Sequence, residues 1–187
     1  MKRVQIVYAS RHGGSEGIAK RIAAVLRTEG ADAEATDAAS NPDPAGFDAY
    51  VVGSGVYLGK WLKEGVTFVE EHRDALAAKP VWLFSSGPVA VVSDDPAVAL
   101  EAALGPASGP GSGGHKQLDE LVAAVHPRDH RVFGGVFDPE RPAVTTMERI
   151  VRIIPAAKKA LPTGDFRDWD RVDAWATGIA RELAPGG

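Results

Sequence analysis

The residues best suited to chemistry in this sequence form one run, Ser10-Arg11-His12-Gly13-Gly14-Ser15. Two hydroxyls, a guanidinium and an imidazole flank two adjacent glycines. The run follows a short β-branched stretch and opens directly into a helical pattern. Free backbone amides and the positive end of a helix dipole make such a junction an anion site. Ser10 and Ser15 add hydroxyl donors, and Arg11 supplies positive charge if it turns inward. Gly13 and Gly14 let the backbone wrap closely around the anion. A triphosphate-hydrolysing loop needs Gly-Lys followed by Ser or Thr, and that lysine is missing here. Gly13-Gly14-Ser15-Glu16-Gly17 also lacks the spacing of a dinucleotide fingerprint. A phosphate monoester held by hydroxyls and amides fits better. The structural alternative is a plain strand-to-helix turn with Ser15 as N-cap.

Around this run the chain alternates between strand and helix patterns. Val4 to Ala9 reads as a buried strand, and Ser15 to Glu29 as an amphipathic helix with Ile18, Ile22, Val25 and Leu26 on one face, stopped by Gly30. Ala31 to Asp37 reads as an edge-side strand. Tyr50-Val51-Val52 marks another strand, followed by a loop from Ser54 to Gly59. Trp61 to Leu76 reads as a helix. Val81 to Phe84 reads as a strand ending at Ser85-Ser86-Gly87-Pro88. A helix over Lys116 to Val125 precedes a strand over Arg131 to Phe137. Thr146 to Lys159, interrupted by Pro155, and the stretch after Asp168 complete the helices. Strands without polar alternation, separated by helices, predict an α/β three-layer sandwich. Its five-stranded parallel sheet takes the order 2-1-3-4-5. Ligands bind such sheets outside the carboxyl ends of the strands, near the switch point. That rule brings together Ser10–Ser15, Ser54–Lys60 and Ser85–Val89.

Composition narrows the function classes. The 187 residues predict a single domain, and residues 94–114, rich in Gly, Pro and Ser, read as a flexible insertion. The formal net charge of −4 argues against sequence-independent nucleic-acid binding. There are no cysteines, so disulfides, thiolate catalysis and cysteine-ligated metals are ruled out. The histidines His72, His115, His126 and His130 lack metal-ligand spacing and read as surface residues, so no metal is expected. Any redox chemistry must come from an organic cofactor or a metal held by other ligands. No apolar run has bilayer-spanning length, and the apolar start reads as a strand rather than a leader. The expected location is the cytoplasm.

The hydroxyl–two residues–glycine–one residue–hydroxyl pattern after strand 1 resembles the phosphate loop of flavodoxins. More narrowly, the chain resembles the flavodoxin-domain family that includes menaquinone-dependent protoporphyrinogen dehydrogenase. The match runs through Tyr8 to Ser15, through Val52-Gly53-Ser54-Gly55-Val56-Tyr57-Leu58-Gly59, and ends in Gly164-Asp165-Phe166-Arg167-Asp168-Trp169. The resemblance implies a flavodoxin-like fold and flavin mononucleotide (FMN), its phosphate on Ser10 to Ser15. It also implies that Ser54, Gly55, Val56 and Tyr57 contact the isoalloxazine ring or ribityl chain. Ser85, Ser86 and Gly87 would line the other side. His12, Tyr57 and Leu58 depart from the family pattern, which weakens protoporphyrinogen as the substrate but not phosphate binding.

The leading expectation is an FMN-dependent oxidoreductase taking electrons from a small-molecule donor and passing them to a quinone or redox protein. No side chain is obliged to serve as acid or base, so no catalytic residue is assigned. Two alternatives stand beside it: an electron carrier, for which −4 is a modest steering charge, and a cofactor-free binding module. The basic, apolar stretch from Met147 to Lys159 is expected to pack on the sheet, with peripheral membrane contact as the alternative. A homodimer across the cofactor edge is compatible with related folds.

Overall fold

The structure, a computed structural model, describes residues 1–57, 59–87, 113–137 and 164–184. Its strands are β1 (Arg3–Ala9), β2 (Asp32–Asp37), β3 (Ala49–Tyr57), β4 (Lys60–Trp61), β5 (Val81–Gly87), β6 (Asp129–Gly134), β7 (Val136–Phe137) and β8 (Gly164–Asp165). Its helices are α1 (Gly14–Thr28), α2 (Lys63–Glu71), α3 (Arg73–Ala77), α4 (Gly113–Val125) and α5 (Trp169–Leu183).

The five long strands run parallel in the order β2-β1-β3-β5-β6. Counting only these strands, the order is the expected 2-1-3-4-5. The order reverses beside β1, the switch point where such sheets bind ligands, at the carboxyl ends of β1 and β3. The sheet forms because β1, β3 and β5 bury almost every side chain, as strands covered on both faces must.

One face of the sheet packs Ile6, Val51, Trp82 and Phe84 against α1 and α5. Helix α1 supplies Ile18, Ile22 and Leu26, spaced at one-turn intervals, and α5 supplies Val172, Ala176 and Ile179. The other face packs Val7, Val52 and Leu83 against Phe68, Val69, Leu76, Leu118 and Leu121. The result is the expected three-layer sandwich. Full burial of a side chain the size of Phe68 is worth roughly 2–3 kcal/mol. Helix α1 ends where Gly30 takes φ +90°, a conformation that costs a side-chain-bearing residue strain. Helix α5 starts at Asp168, whose carboxylate accepts the Arg171 amide at 3.1 Å.

Several boundaries differ from the sequence reading. Ser54 to Tyr57 is not a loop but the end of β3, because Ser54 and Gly55 stay in register with Ser85 and Ser86. Ser85 to Gly87 likewise belongs to β5, with Gly87 opposite Gly134 of β6. Small polar residues resemble turn residues locally, but sheet pairing continues through them. The helix expected over Trp61 to Leu76 is broken at His72, which separates α2 from α3. Gly113 and Gly114 open α4 rather than ending an insertion. A side chain at Gly114 would collide with the Gly59 carbonyl, so glycine is required for this approach. The strand expected from Arg131 starts earlier, at Asp129, and breaks at Gly135 before β7 pairs antiparallel with β8. Leu58, Pro88, Val89, the acidic pair Asp94 and Asp95, the rest of the 94–112 stretch and the helix expected over Thr146 to Lys159 lie outside the described residues.

Candidate functional site

The loop after β1 turns at Gly13, which adopts φ +77° and serves as the N-cap of α1. Ser15 is therefore not the cap: it lies inside the first turn, and no side chain caps the helix. The Gly13 amide donates to Ser10 Oγ at 3.1 Å, which closes the loop on itself. The first intrahelical bond runs from Gly17 N–H to Gly13 O at 3.0 Å. The amides of Gly14, Ser15 and Glu16 precede it and point out of the helix start.

Three segments meet this turn. A side chain on Gly14 would stand 3.3 Å from the Val136 amide nitrogen and 3.8 Å from Ser86 Oγ. One on Gly55 would stand 2.8 Å from Tyr57 Cε2 and 3.3 Å from Ser15 Oγ. The first turn of α1, the ends of β3 and β5, and the Gly135–Val136 turn thus share one corner, and glycines keep it open. Ser15 and Ser86 are only 2% and 5% exposed. Neither hydroxyl is used in a hydrogen bond to another described residue. Two hydroxyls left without a protein partner beside one helix N-terminus suit an anionic ligand.

The other predicted residues divide by role. Ser54 is fully buried; its hydroxyl donates to Gly55 O at 2.9 Å and accepts the Leu62 amide at 3.0 Å. It fixes the exit of β3 to the start of α2. Ser85 is equally buried and accepts the Trp61 indole N–H at 2.7 Å. Val56 is buried, whereas Tyr57, at the carboxyl end of β3, is 37% exposed. The His12 and Tyr57 rings lie 6.1 Å apart, tilted by 44°. Arg11 does not stand alone: its guanidinium binds Glu64, in the first turn of α2, at 2.8 and 3.2 Å. The Arg11 Nε–H is buried with no hydrogen-bond partner, a further donor beside the loop. Gly87 is buried where β5 meets Gly134, and its carbonyl leaves no room for a side chain on Gly135.

Five contributors escaped the sequence reading. His130 is not a surface residue: its Nε2 lies 3.0 Å from Ser85 Oγ. The Ser85 hydroxyl accepts from Trp61 and has a second lone pair as well as its own proton, so its bond to His130 runs in the direction the imidazole tautomer sets. Burial lowers the His130 pKa to about 4. Trp61, expected to pack within a helix, instead sits on β4 opposite Val56. Gly135 and Val136 border the loop. Arg167 lies across the first turn of α1 at Gly17. Glycines at 17 and 135, where a side chain would strike Arg167 and the Gly87 carbonyl, are the local signals in the sequence. A separate cleft of about 380 Å³, lined by Trp82, Asp129, Arg131, Trp175 and Gly178 among others, lies between β6 and α5 and includes none of the loop residues. Among the described residues no group of acidic or histidine side chains could hold a metal ion.

This geometry agrees with the comparisons to known proteins. A short-chain flavodoxin associated with a non-canonical PDU bacterial microcompartment superposes with a TM-score of 0.57 at 16% identity, over 98% of this chain and 100% of that one. A flavodoxin from Pseudomonas aeruginosa gives 0.53 at 16% identity, over 97% and 98%. The rubredoxin:oxygen oxidoreductase of Desulfovibrio gigas gives 0.56 at 15% identity, over 98% of this chain but 36% of that one. This chain therefore spans about a third of the length of the oxygen oxidoreductase. At such low identity these likenesses establish the fold. No curated protein sequence matches the chain. The family model of the flavodoxin domain matches residues 5–155. The chain belongs to the flavodoxin domain family, and the cofactor this membership implies is FMN.

Proposed function

We propose that the chain is an FMN-dependent oxidoreductase that passes electrons from a small-molecule donor to a quinone or a redox protein. The observation that carries the cofactor assignment is the pair of Ser15 and Ser86 hydroxyls, which bond no other described residue and face a glycine-lined corner at the start of α1. The donor set there is amides and neutral hydroxyls beside the buried Arg11 Nε–H, which suits a phosphate monoester. When bound, FMN supplies one- and two-electron redox chemistry at its isoalloxazine ring.

The chain's own residues hold and orient. Ser10, Gly13, Gly14 and Ser15 form the phosphate cradle, with Arg11 and His12 at its rim. Gly55, Val56 and Tyr57 form one wall, and Tyr57 offers an aromatic face at the end of β3. Ser86 and Gly87 form the other. Ser54 and Ser85 act from beneath, because their hydroxyls fix the backbone of the two walls. Half-exposed Tyr57 leaves the edge of the site accessible, as transfer to a diffusing acceptor requires. Among the described residues no helix is long and apolar enough to cross a membrane.

The acceptor is tested by loading the protein with FMN, reducing it anaerobically with dithionite, and mixing it with menadione. Prompt return of the oxidised flavin absorption supports a quinone acceptor. Reoxidation no faster than that of buffer alone rejects it and leaves a redox protein as the partner.

A further inference from the structure

Arg167 occupies an unusual place for a cation. A side chain on Gly17 would collide with its Nη1, so the guanidinium lies flat on the first turn of α1. It also stacks on Trp169, with Cζ 4.6 Å from the ring centroid. Asp165 grips it through Nε at 2.8 Å and Nη2 at 2.5 Å. The segment is anchored to the site by the Phe166 amide, which donates to Gly135 O at 2.9 Å, and Gly135 adjoins the Val136 amide that faces Gly14.

The electrostatics of this arrangement ask for an anion. The start of a helix is the positive end of its dipole, where a cation is disfavoured. Asp165 offsets the charge only in part, because its carboxylate side chain is 46% exposed and screened by water, whereas the guanidinium is 18% exposed. The carboxylate pKa is lowered by its hydrogen bond to Arg167, so the pair is charged at neutral pH. The acid in the first turn of α1, Glu16, is committed to Lys20.

We infer that Arg167 is a specificity-determining residue that makes this site favour a phosphorylated flavin over the unphosphorylated one. The inference rests on the phosphate cradle proposed above. The guanidinium covers Gly17, whose amide closes the first turn of α1 onto Gly13 O, so its charge adds to that of the cradle amides in this turn when a dianion is bound. Gly17 is part of the device, since any side chain there would displace the guanidinium.

The test compares FMN with riboflavin, which lacks the phosphate, by flavin fluorescence titration of the wild-type protein, Arg167→Gln, Arg167→Lys and Gly17→Ala. Arg167→Gln is expected to weaken FMN about tenfold with riboflavin unchanged, and Arg167→Lys to restore part of the loss. Gly17→Ala keeps the charge but moves it; alanine favours the helix, so the fold is retained while FMN weakens severalfold. Added salt should narrow the wild-type preference and leave that of Arg167→Gln nearly flat. Equal losses for FMN and riboflavin, or no loss in either Arg167→Gln or Gly17→Ala, would overturn the inference while leaving the cradle intact. Failure of the wild-type protein to prefer FMN would overturn the cradle itself, and Arg167's role with it.

Discussion

The indole N–H of Trp61 donates to the hydroxyl of Ser85 across 2.7 Å of buried space. This bond ties the β3–β4 hairpin, which carries Tyr57, to the neighbouring strand β5. Ser85→Ala removes the acceptor and leaves both the indole and His130 Nε2 without a partner. The expected loss is about 1–3 kcal/mol of stability, seen as a lower urea midpoint with an unchanged slope. Ser85→Thr, which keeps the hydroxyl, should recover part of it.

The same chain of hydrogen bonds makes stability depend on pH. His130 is neutral in the folded state, its pKa lowered from 6.5 to about 4 by burial. Between these values the unfolded chain binds the proton and the folded chain does not, so stability falls as the pH drops. The contribution is fully present above pH 6.5 and is lost on descending through pH 4; it amounts to about 3 kcal/mol. Urea unfolding between pH 7 and pH 4 should show this fall in the wild-type protein and a flatter profile in His130→Gln.

Ser15 and Ser86 should behave in the opposite way. Their hydroxyls bond no other described residue, so replacing either with alanine should change stability by less than about 0.5 kcal/mol. FMN affinity should nevertheless fall by roughly tenfold for each hydrogen bond lost to a charged phosphate. A variant that unfolds as its affinity falls would instead assign these hydroxyls to the core.

Glycine is required at the end of β3. Gly55→Ala would put a methyl group 2.8 Å from Tyr57 Cε2 and 3.3 Å from Ser15 Oγ. The tyrosine must rotate away, and flavin affinity should drop while the sheet persists by circular dichroism. Gly13→Ala forces a side chain into φ +77° and should cost about 1 kcal/mol of stability as it distorts the loop.

Much of this was legible in the sequence because it depends on local pattern. The β-branched run before Ser10, the one-turn spacing of Ile18, Ile22 and Leu26, and the glycine pair at 13 and 14 encode the strand, the helix and the turn between them. The hydroxyls of Ser54 and Ser85 looked like ligand groups, but the fold spends them on Leu62 and Trp61, partners 8 and 24 residues away. His130 looked solvated because its partner comes from another strand, and no spacing within one strand reveals a cross-strand bond. Arg167 was quoted only within a family pattern. Its position over Gly17, 150 positions earlier in the sequence, arises from the packing of α5 on α1. Contacts between distant segments leave little trace in a single sequence beyond an unexplained glycine.

The most direct test of the phosphate cradle is a visible-absorption and fluorescence titration of the purified protein with FMN, repeated with the Ser10→Ala/Ser15→Ala double variant. The wild-type protein should retain flavin after removal of unbound ligand, with a perturbed spectrum. The folded double variant should lose it by two orders of magnitude or about that in affinity. Equal retention by the two proteins would place the flavin elsewhere, and no retention by the wild-type protein at high micromolar FMN would contradict the account.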